Sequence, residues 1–518
     1  MRMNQTKAGI TLSYLIIFIS NIINIIFTPI ILRLLGQAEY GLYALIGSLV
    51  SYIAILDFGL GNTIIRYIAK YRTENDKYGQ ENFLALTIFI YLTLALLVAI
   101  VGLFLYSRLD SIFKNSLSIS EINEAQLMFL FMIGNIVFSL PMNSFNAILT
   151  GYEKFIFPRL ISIVRIFIRT GLVLLFLFLG YKAIAIVVID TILNVFILII
   201  NMLYCLNRLK IKIRFHFFDK PLFKEVLNFS FFIFLSMIVD QIYWRLGQVI
   251  LGIVASTTLV AIYAIGMQFV NYYIQFSTSI SSIFLPRATQ IVTNKGSNEE
   301  LTDLMIKTGR IQFIVLGYIL VAFALFGKTF TILWAGKDYY DSWIVGLLIL
   351  VPLTIPLFQN VGIMILQAKN LHYVRSIILI GVSIINIIVT VFMAKKYGTI
   401  GAASGTVISL ILGNIIAINM YYKKIGINIK RFFKELIKGI FVTLNIIFLL
   451  SVGISFLIPI NGWLGLIVKG IIYTTVYCIC VWYIALNYSE KKMISTPVLA
   501  LVNRFKNIKT INSLFIQL

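Results

Sequence analysis

Residues Leu35 to Arg72 read LGQAEYGLYALIGSLVSYIAILDFGLGNTIIRYIAKYR, and they combine a membrane span, an acid inside it, two closely spaced glycines and a basic exit. Gly41 to Leu56 is uncharged and rich in Ile, Leu, Ala and Tyr; Asp57, Gly59 and Gly61 interrupt it before Arg66, Lys70 and Arg72 close it. A helix needs about 20 mostly apolar residues to cross the hydrocarbon core. The pattern therefore predicts one long transmembrane helix, loosened near Gly59 and Gly61, whose end lies on the positively charged inner side.

Composition carries that reading to the whole chain. With 518 residues, 60% of them hydrophobic and 12% charged, and a mean hydropathy of +0.96, the protein lacks the polar residues needed to cover a soluble globule. Apolar runs of about 20 residues recur from end to end, so helices rather than a barrel satisfy the backbone in lipid. The expected fold is an all-α integral membrane protein with about fourteen transmembrane helices.

The net charge of +23 is topogenic first. Lys and Arg fall about 29 times in loops read as inside, about 8 times outside and about 6 times within helices. Basic residues scattered over short loops do not form the clustered face that nucleic acid requires, and anionic lipid is the better partner. Cys205, Cys478 and Cys480 lie in apolar runs, and His216 and His372 stand alone in basic loops. No metal cluster or nucleophilic triad can be assembled from them, so neither a cofactor nor enzymatic chemistry is expected.

Sliding the chain by roughly 215 to 220 residues reveals an internal repeat. Tyr43-Ala44-Leu45 and Tyr52 meet Tyr263-Ala264-Ile265 and Tyr272, and Pro141 meets Pro356. Six spans per unit is an even number, so the copies share a topology about an axis along the membrane normal. The division that follows is an amino-terminal six-helix lobe (residues 1–206), a basic cytoplasmic linker (207–228), a second six-helix lobe (229–424), helices 13 and 14 (425–487) and a cytoplasmic tail (488–518). In the tail, Pro497 to Lys506 aligns Val498, Leu501, Val502 and Phe505 on one stripe, as in a surface-lying helix. Lys395 and Lys396, in an outer loop, are the one clear offence against the charge rule.

Ionisable groups left inside helices are the site candidates, because a charge near the membrane centre carries a penalty of about 2.5–3.5 kcal/mol on insertion scales. They are Asp57, Arg165, Arg169, Asp190, Asp240 and Arg245, joined near the inner ends by Arg66 and Arg310. Arg165 and Arg169 are four apart and share a helical face. Arg66 and Arg159 lie where a long side chain can equally snorkel to the headgroups. Asp240 and Arg245 fit either mutual structural partners or neighbours of other helices, and Asp57 fits either a local cap for backbone freed near Gly59 or a transport role.

Gly36, Glu39, Tyr40, Gly41, Leu42 and Tyr43, then Leu56 to Gly61, then Arg66 and Tyr67, together with Gly151, Tyr152, Glu153 and Lys154, resemble the signature of the Wzx-type polysaccharide-biosynthesis flippases of the MATE-like superfamily. That resemblance implies a non-enzymatic transporter of the bacterial cytoplasmic membrane, with both termini cytoplasmic. Its substrate would be a polyprenyl-pyrophosphate-linked oligosaccharide for O-antigen, capsule or exopolysaccharide synthesis, and its partners membrane lipids and other polysaccharide-assembly proteins. Arginine suits such a substrate, since its planar fork donates two hydrogen bonds to phosphate oxygens and stays charged in a partly dry site. Arg165, Arg169, Arg245, Arg66 and Arg310 are the expected anchors, and Asp57, Asp240 and Asp190 the candidates for ion coupling. The competing readings are a cation-coupled multidrug exporter of the same superfamily and a non-transporting scaffold or polymerase subunit. The first span offers only Asn21 and Asn24 where such exporters typically carry an acid, and every outer loop is short.

Overall fold

The computed structural model describes residues 5–281, 284–294, 296–369, 371–457, 460–492 and 495; the stripe expected from Pro497 to Lys506 lies outside them. In chain order the α-helices are α1 (Gln5–Leu35), α2 (Gln37–Ala54), α3 (Leu60–Glu74), α4 (Lys77–Phe113), α5 (Ile119–Gly151), α6 (Ile156–Phe178), α7 (Ala183–Asn207), α8 (Lys220–Val254) and α9 (Thr257–Ser281). They continue as α10 (Leu285–Thr293), α11 (Asn298–Trp334), α12 (Tyr340–Phe358), α13 (Asn360–Ala368), α14 (His372–Ser409), α15 (Ile418–Lys424), α16 (Ile429–Ile437), α17 (Ile440–Leu457) and α18 (Gly462–Cys480). No strand occurs among the described residues.

Among the described residues thirteen stretches are long and apolar enough to cross a membrane, and one of them, Tyr373–Lys424, is 52 residues long. That is more than twice what a crossing needs. Gly398 explains it: its φ of 56° and ψ of −129° break the helix inside α14. An added Cβ on Gly401 would lie 1.9 Å from the Met393 carbonyl oxygen, and one on Gly405 1.9 Å from Thr390 Oγ1. Residues before and after Gly398 thus face each other backbone to backbone, so the stretch is a helical hairpin of two passes closed over small residues. Counted this way, the passes number the fourteen expected from hydropathy.

The opening stretch is more broken than its sequence suggests. Ile55–Asp57 tighten into a 3₁₀ turn, and both Phe58 (φ 54°) and Gly59 (φ 64°) are left-handed before α3 begins. Gly61 is helical, so the discontinuity sits earlier than the glycine pair implies. A left-handed phenylalanine costs about 1–2 kcal/mol. Phe58 stacks on Phe234 with centroids 4.3 Å apart and planes 3° from parallel, an arrangement worth about 0.5–1.5 kcal/mol that offsets much of the strain. After the break, α3 buries Leu60, Thr63, Ile64, Tyr67 and Ile68 at helical spacing and leaves Arg66 and Lys70 exposed.

The chain divides into two compact units. The first comprises residues 1–270, 334–349 and 372–417. Here α2 runs against α8: the Tyr52 hydroxyl donates to the Gln241 carbonyl oxygen at 3.2 Å, and Ser48 bonds Gln248. Against α9 it comes closer still, for an added Cβ on Gly41 would fall 1.8 Å from the Thr257 carbonyl oxygen. Arg72 of α3 donates to the Gly151 carbonyl oxygen at 2.7 Å and stands 4.6 Å over the Tyr152 ring, which turns Gly151 and Tyr152 into a clasp between α3 and α5.

The second unit comprises residues 271–333, 350–371 and 418–518. Its core packs Ile440, Leu444 and Ile447 of α17 and Tyr473 and Tyr477 of α18 against Phe313, Tyr318 and Leu325 of α11. The Tyr473 hydroxyl donates to the Tyr318 carbonyl oxygen at 2.7 Å and the Tyr477 hydroxyl to that of Ile314 at 2.5 Å. The two tyrosines therefore fix α18 on α11 with neither hydroxyl unsatisfied, while α17 joins them through apolar packing alone.

Candidate functional site

The densest set of intramembrane charges lies in the first unit, where α6, α7, α2 and α8 bring the expected residues together. Arg169 of α6 and Asp190 of α7 form a two-pronged ion pair, Nε to Oδ1 at 2.5 Å and Nη2 to Oδ2 at 2.8 Å. Their side chains keep 33% and 25% of their exposure, so the pair is only part-buried. One turn along α6, Arg165 also feels Asp190 but closes no ion pair or hydrogen bond among the described residues. Tyr43 of α2, from the opening stretch, interacts with Arg169, Asp190 and Arg245 together.

Arg245 projects from α8 between Gln241 and Gln248, the two positions bonded to α2. Tyr52 and Tyr43 are its electrostatic neighbours, and it too makes no ion pair or hydrogen bond among the described residues. Three guanidinium groups against one carboxylate, 3 − 1, leave a net charge of +2 over the set, Arg165 and Arg169 beside Asp190 and Arg169 and Arg245 beside Tyr43. Polar side chains extend the track along α5 and α7. Asn194, four residues after Asp190, donates to Asn135 Oδ1 and Ser139 Oγ, both at 2.8 Å, and Asn201 donates to Asn146 Oδ1 at 2.6 Å.

The remaining candidates stand apart from this set. Asp240 does not pair with Arg245; five residues put the two about 140° apart on a helix of 3.6 residues per turn, and Asp240 faces Arg375 of α14 instead. Asp57 points at Tyr91 of α4, yet Asp57 Oδ1 and the Tyr91 hydroxyl are both buried without completing an aligned hydrogen bond. Arg66 is exposed on α3, 6.0 Å over the Tyr67 ring.

Arg310, in the second unit, is committed elsewhere. Its Nε and Nη2 bond the two Glu490 carboxylate oxygens at 2.6 and 3.1 Å, Nη1 bonds the carbonyls of Glu435 and Lys438 at 2.8 and 3.0 Å, and Nη2 bonds that of Ala485 at 2.8 Å. All five N–H donors of the guanidinium are taken. Arg310 holds the end of α16 and the π-helical turn Val481–Ala485 that follows α18 to α11, and has no donor left for a phosphate.

Several partners escaped the sequence reading. Arg375 and Tyr91 carried no distinguishing pattern, since one sits at a span boundary and the other inside an apolar run. Tyr43 was visible within the signature but without a role. The asparagines of α5 and α7 do carry a signal, for Asn135, Ser139, Asn143 and Asn146 recur at helical spacing in an apolar run.

With this arrangement in hand, the sequence profile of the family described as polysaccharide biosynthesis protein matches residues 6–292. The chain belongs to that family. Among polysaccharide biosynthesis proteins it is similar to one described as an O-antigen transporter of Shigella flexneri, 24% identical over 388 residues that make up 73% of this chain and 89% of the relative. A Salmonella typhi protein of the same description is 21% identical over 411 residues, 77% of this chain and 92% of the relative. The fold of this chain is similar to that of the lipid II flippase MurJ, solved in an inward closed conformation, with a TM-score of 0.68 at 18% identity covering 91% of this chain and 98% of that one. An inward-facing multidrug resistance transporter of the MATE family follows at a TM-score of 0.57 and 15% identity, covering 79% and 95%. The chain is thus a multi-pass membrane protein with the fold shared by these solved structures.

Proposed function

We propose that the protein is a flippase of the cytoplasmic membrane that moves a polyprenyl-pyrophosphate-linked oligosaccharide from the inner to the outer leaflet. The observation that carries this reading is the pair of uncommitted guanidinium groups, Arg165 and Arg245, beside an Arg169–Asp190 pair that orients the site without cancelling its charge. A dianionic headgroup entering there finds two forks able to bind phosphate oxygens, while a cationic drug meets net repulsion. The half-buried amides of Asn135, Asn194 and Asn146 supply donors and acceptors suited to sugar hydroxyls.

Family membership and relatives described as O-antigen transporters support the same substrate class. The internal repeat of six-span units supports alternating access, with both termini on the cytoplasmic side. Neutralisation of Arg165 and Arg245 by the headgroup is then the event that permits closure. Asp57 and Asp240 are the candidates for ion coupling, because Asp190 is held by Arg169.

The test is flipping of a fluorescent polyprenyl-pyrophosphate oligosaccharide in proteoliposomes, with a cationic dye as competing substrate. Wild type should flip the lipid, and Arg165→Ala with Arg245→Ala should lose flux while keeping its thermal stability. Dye export without lipid flipping would move the protein to the drug exporters and overturn the proposal.

A further inference from the structure

The segment joining α7 to α8 plays no part in the site above, yet it has the most unusual surface in the described structure. Between residues 208 and 220 it holds five Lys or Arg and one acid, Asp219. That acid is engaged, since its Oδ1 accepts the Leu222 amide at 3.0 Å to cap α8. Lys210, left-handed at φ 54°, is exposed, and from Ile211 the non-helical chain alternates: Ile211 is buried and Ile213 half-buried, while Lys212 and Arg214 are exposed. Beyond them, Phe215, Phe217 and Phe218 are 58%, 50% and 51% exposed.

These rings are not displayed by a loose loop. Asn82 Oδ1 accepts the amides of His216 and Phe217 at 2.9 and 3.1 Å, His216 Nε2 meets Glu81 Oε2 at 3.3 Å, and the imidazole stacks on Tyr78 with centroids 4.0 Å apart. The start of α4 therefore fixes the segment in place with its aromatic face outward. Large apolar groups held out of a core beside exposed basic residues mark an interaction surface, and the two acids at its edge, Glu81 and Asp219, are engaged by His216 and by the start of α8. Here that surface lies where three long apolar helices, α4, α7 and α8, begin or end, so it stands at one end of the spans rather than along them.

We propose that residues 210–218 form a docking surface for anionic phospholipid, with Lys210, Lys212 and Arg214 on the phosphates and Phe215, Phe217 and Phe218 in the interfacial layer. Basic residues within a Debye length of an anionic leaflet are each worth about fivefold in partitioning, and aromatic rings settle at that depth. The surface is independent of the transported substrate. It acts as a lipid-composition sensor on the α7–α8 connection.

The test uses the full chain in nanodiscs, with an environment-sensitive fluorophore on F217C after Cys205, Cys478 and Cys480 are changed to Ala. In discs containing about a third phosphatidylglycerol the label should shift to the blue and be quenched by spin-labelled lipid; in pure phosphatidylcholine both effects should shrink. K210Q with K212Q and R214Q should weaken the preference for the anionic discs about a hundredfold, as three fivefold factors imply. Native mass spectrometry should show fewer phosphatidylglycerol molecules retained by F215S with F218S, a variant that leaves Asn82, Glu81 and Tyr78 untouched. An aqueous label in both disc types, or a blue shift produced by added RNA or acidic peptide but not by anionic lipid, would overturn the proposal.

Discussion

Replacing Arg310 with alanine removes five hydrogen bonds at once and leaves the Glu490 carboxylate, whose side chain is 7% exposed, with the Asn487 amide as its remaining partner. The carbonyls of Glu435 and Lys438 at the end of α16, and of Ala485 in the π-helical turn after α18, lose their cation. Breaking a buried ion pair from one side costs about 3–5 kcal/mol, most of it from the stranded charge. That is a large part of the 5–15 kcal/mol typical of a folded protein. Arg310→Ala with Glu490→Ala should therefore be less damaging than the sum of the single changes, with a coupling of about 2 kcal/mol. Arg310→Lys, with three donors in place of five, should fall in between. Thermal unfolding in detergent measures the global effect, and thiol labelling localises it. Cys480, at the end of α18, should label faster in Arg310→Ala, whereas buried Cys205 in the first unit should keep its wild-type rate below the melting transition. If Arg310→Ala melted like wild type and left Cys480 protected, yet abolished lipid flipping, Arg310 would be a substrate ligand and the structural assignment would fail.

Three further outcomes follow from the packing. Gly41→Ala places a methyl carbon 1.8 Å from the Thr257 carbonyl, so α2 and α9 must part; a loss of about 1–3 kcal/mol is expected in thermal unfolding, and a neutral result would refute the close approach. Asp190→Asn releases Arg169 while keeping the side-chain shape; affinity for an anionic lipid headgroup, measured by fluorescence titration, should rise or hold while stability falls by about 1–3 kcal/mol, the part-burial reducing the full cost of a broken pair. Lys182 accepts no neutral role between Glu124 and Glu39, at 2.8 and 2.9 Å: the two carboxylates, Glu124 first, hold its ammonium above the usual lysine range. A raised lysine contributes fully below its unfolded pKa and loses that contribution as pH rises through the folded one. The effect of Lys182→Met on the melting midpoint should therefore be the same at pH 7 and pH 9, and a gap that closes by pH 9 would refute it.

Hydropathy made the spans legible because each must be apolar for about 20 residues, a constraint written locally in the chain. Even the hairpin in Tyr373–Lys424 was visible as two runs, with Gly398 and the lysine pair between them. The site was legible only in part. Arg165, Arg169 and Asp190 declared themselves by being charged inside spans, and the structure joins two of them directly. What sequence could not supply was the partner of each charge, because partners lie on other helices. Arg310 and Glu490 are 180 residues apart, and Glu490 lies just past the last span, where an acid attracts no notice. Asp240 and Arg245 illustrate the converse: sequence left a mutual pair and separate partners equally open, and the helix turns the two to different neighbours. The break at Phe58 also lay beyond sequence logic, which assigns left-handed residues to glycine first and had no means of knowing that Phe234 would stack there.

The reversal at Gly398 bears on how the chain is made. Lys395 and Lys396 stand two and three residues before it, so the tip of the hairpin carries two charges that topogenesis would ordinarily retain in the cytoplasm. Because Gly401 and Gly405 let the two limbs touch along their backbones, the limbs can pair before either is fully embedded. The two limbs are therefore one insertion unit, whose paired apolar surfaces share the cost of the two lysines at its tip whichever side of the membrane that tip reaches.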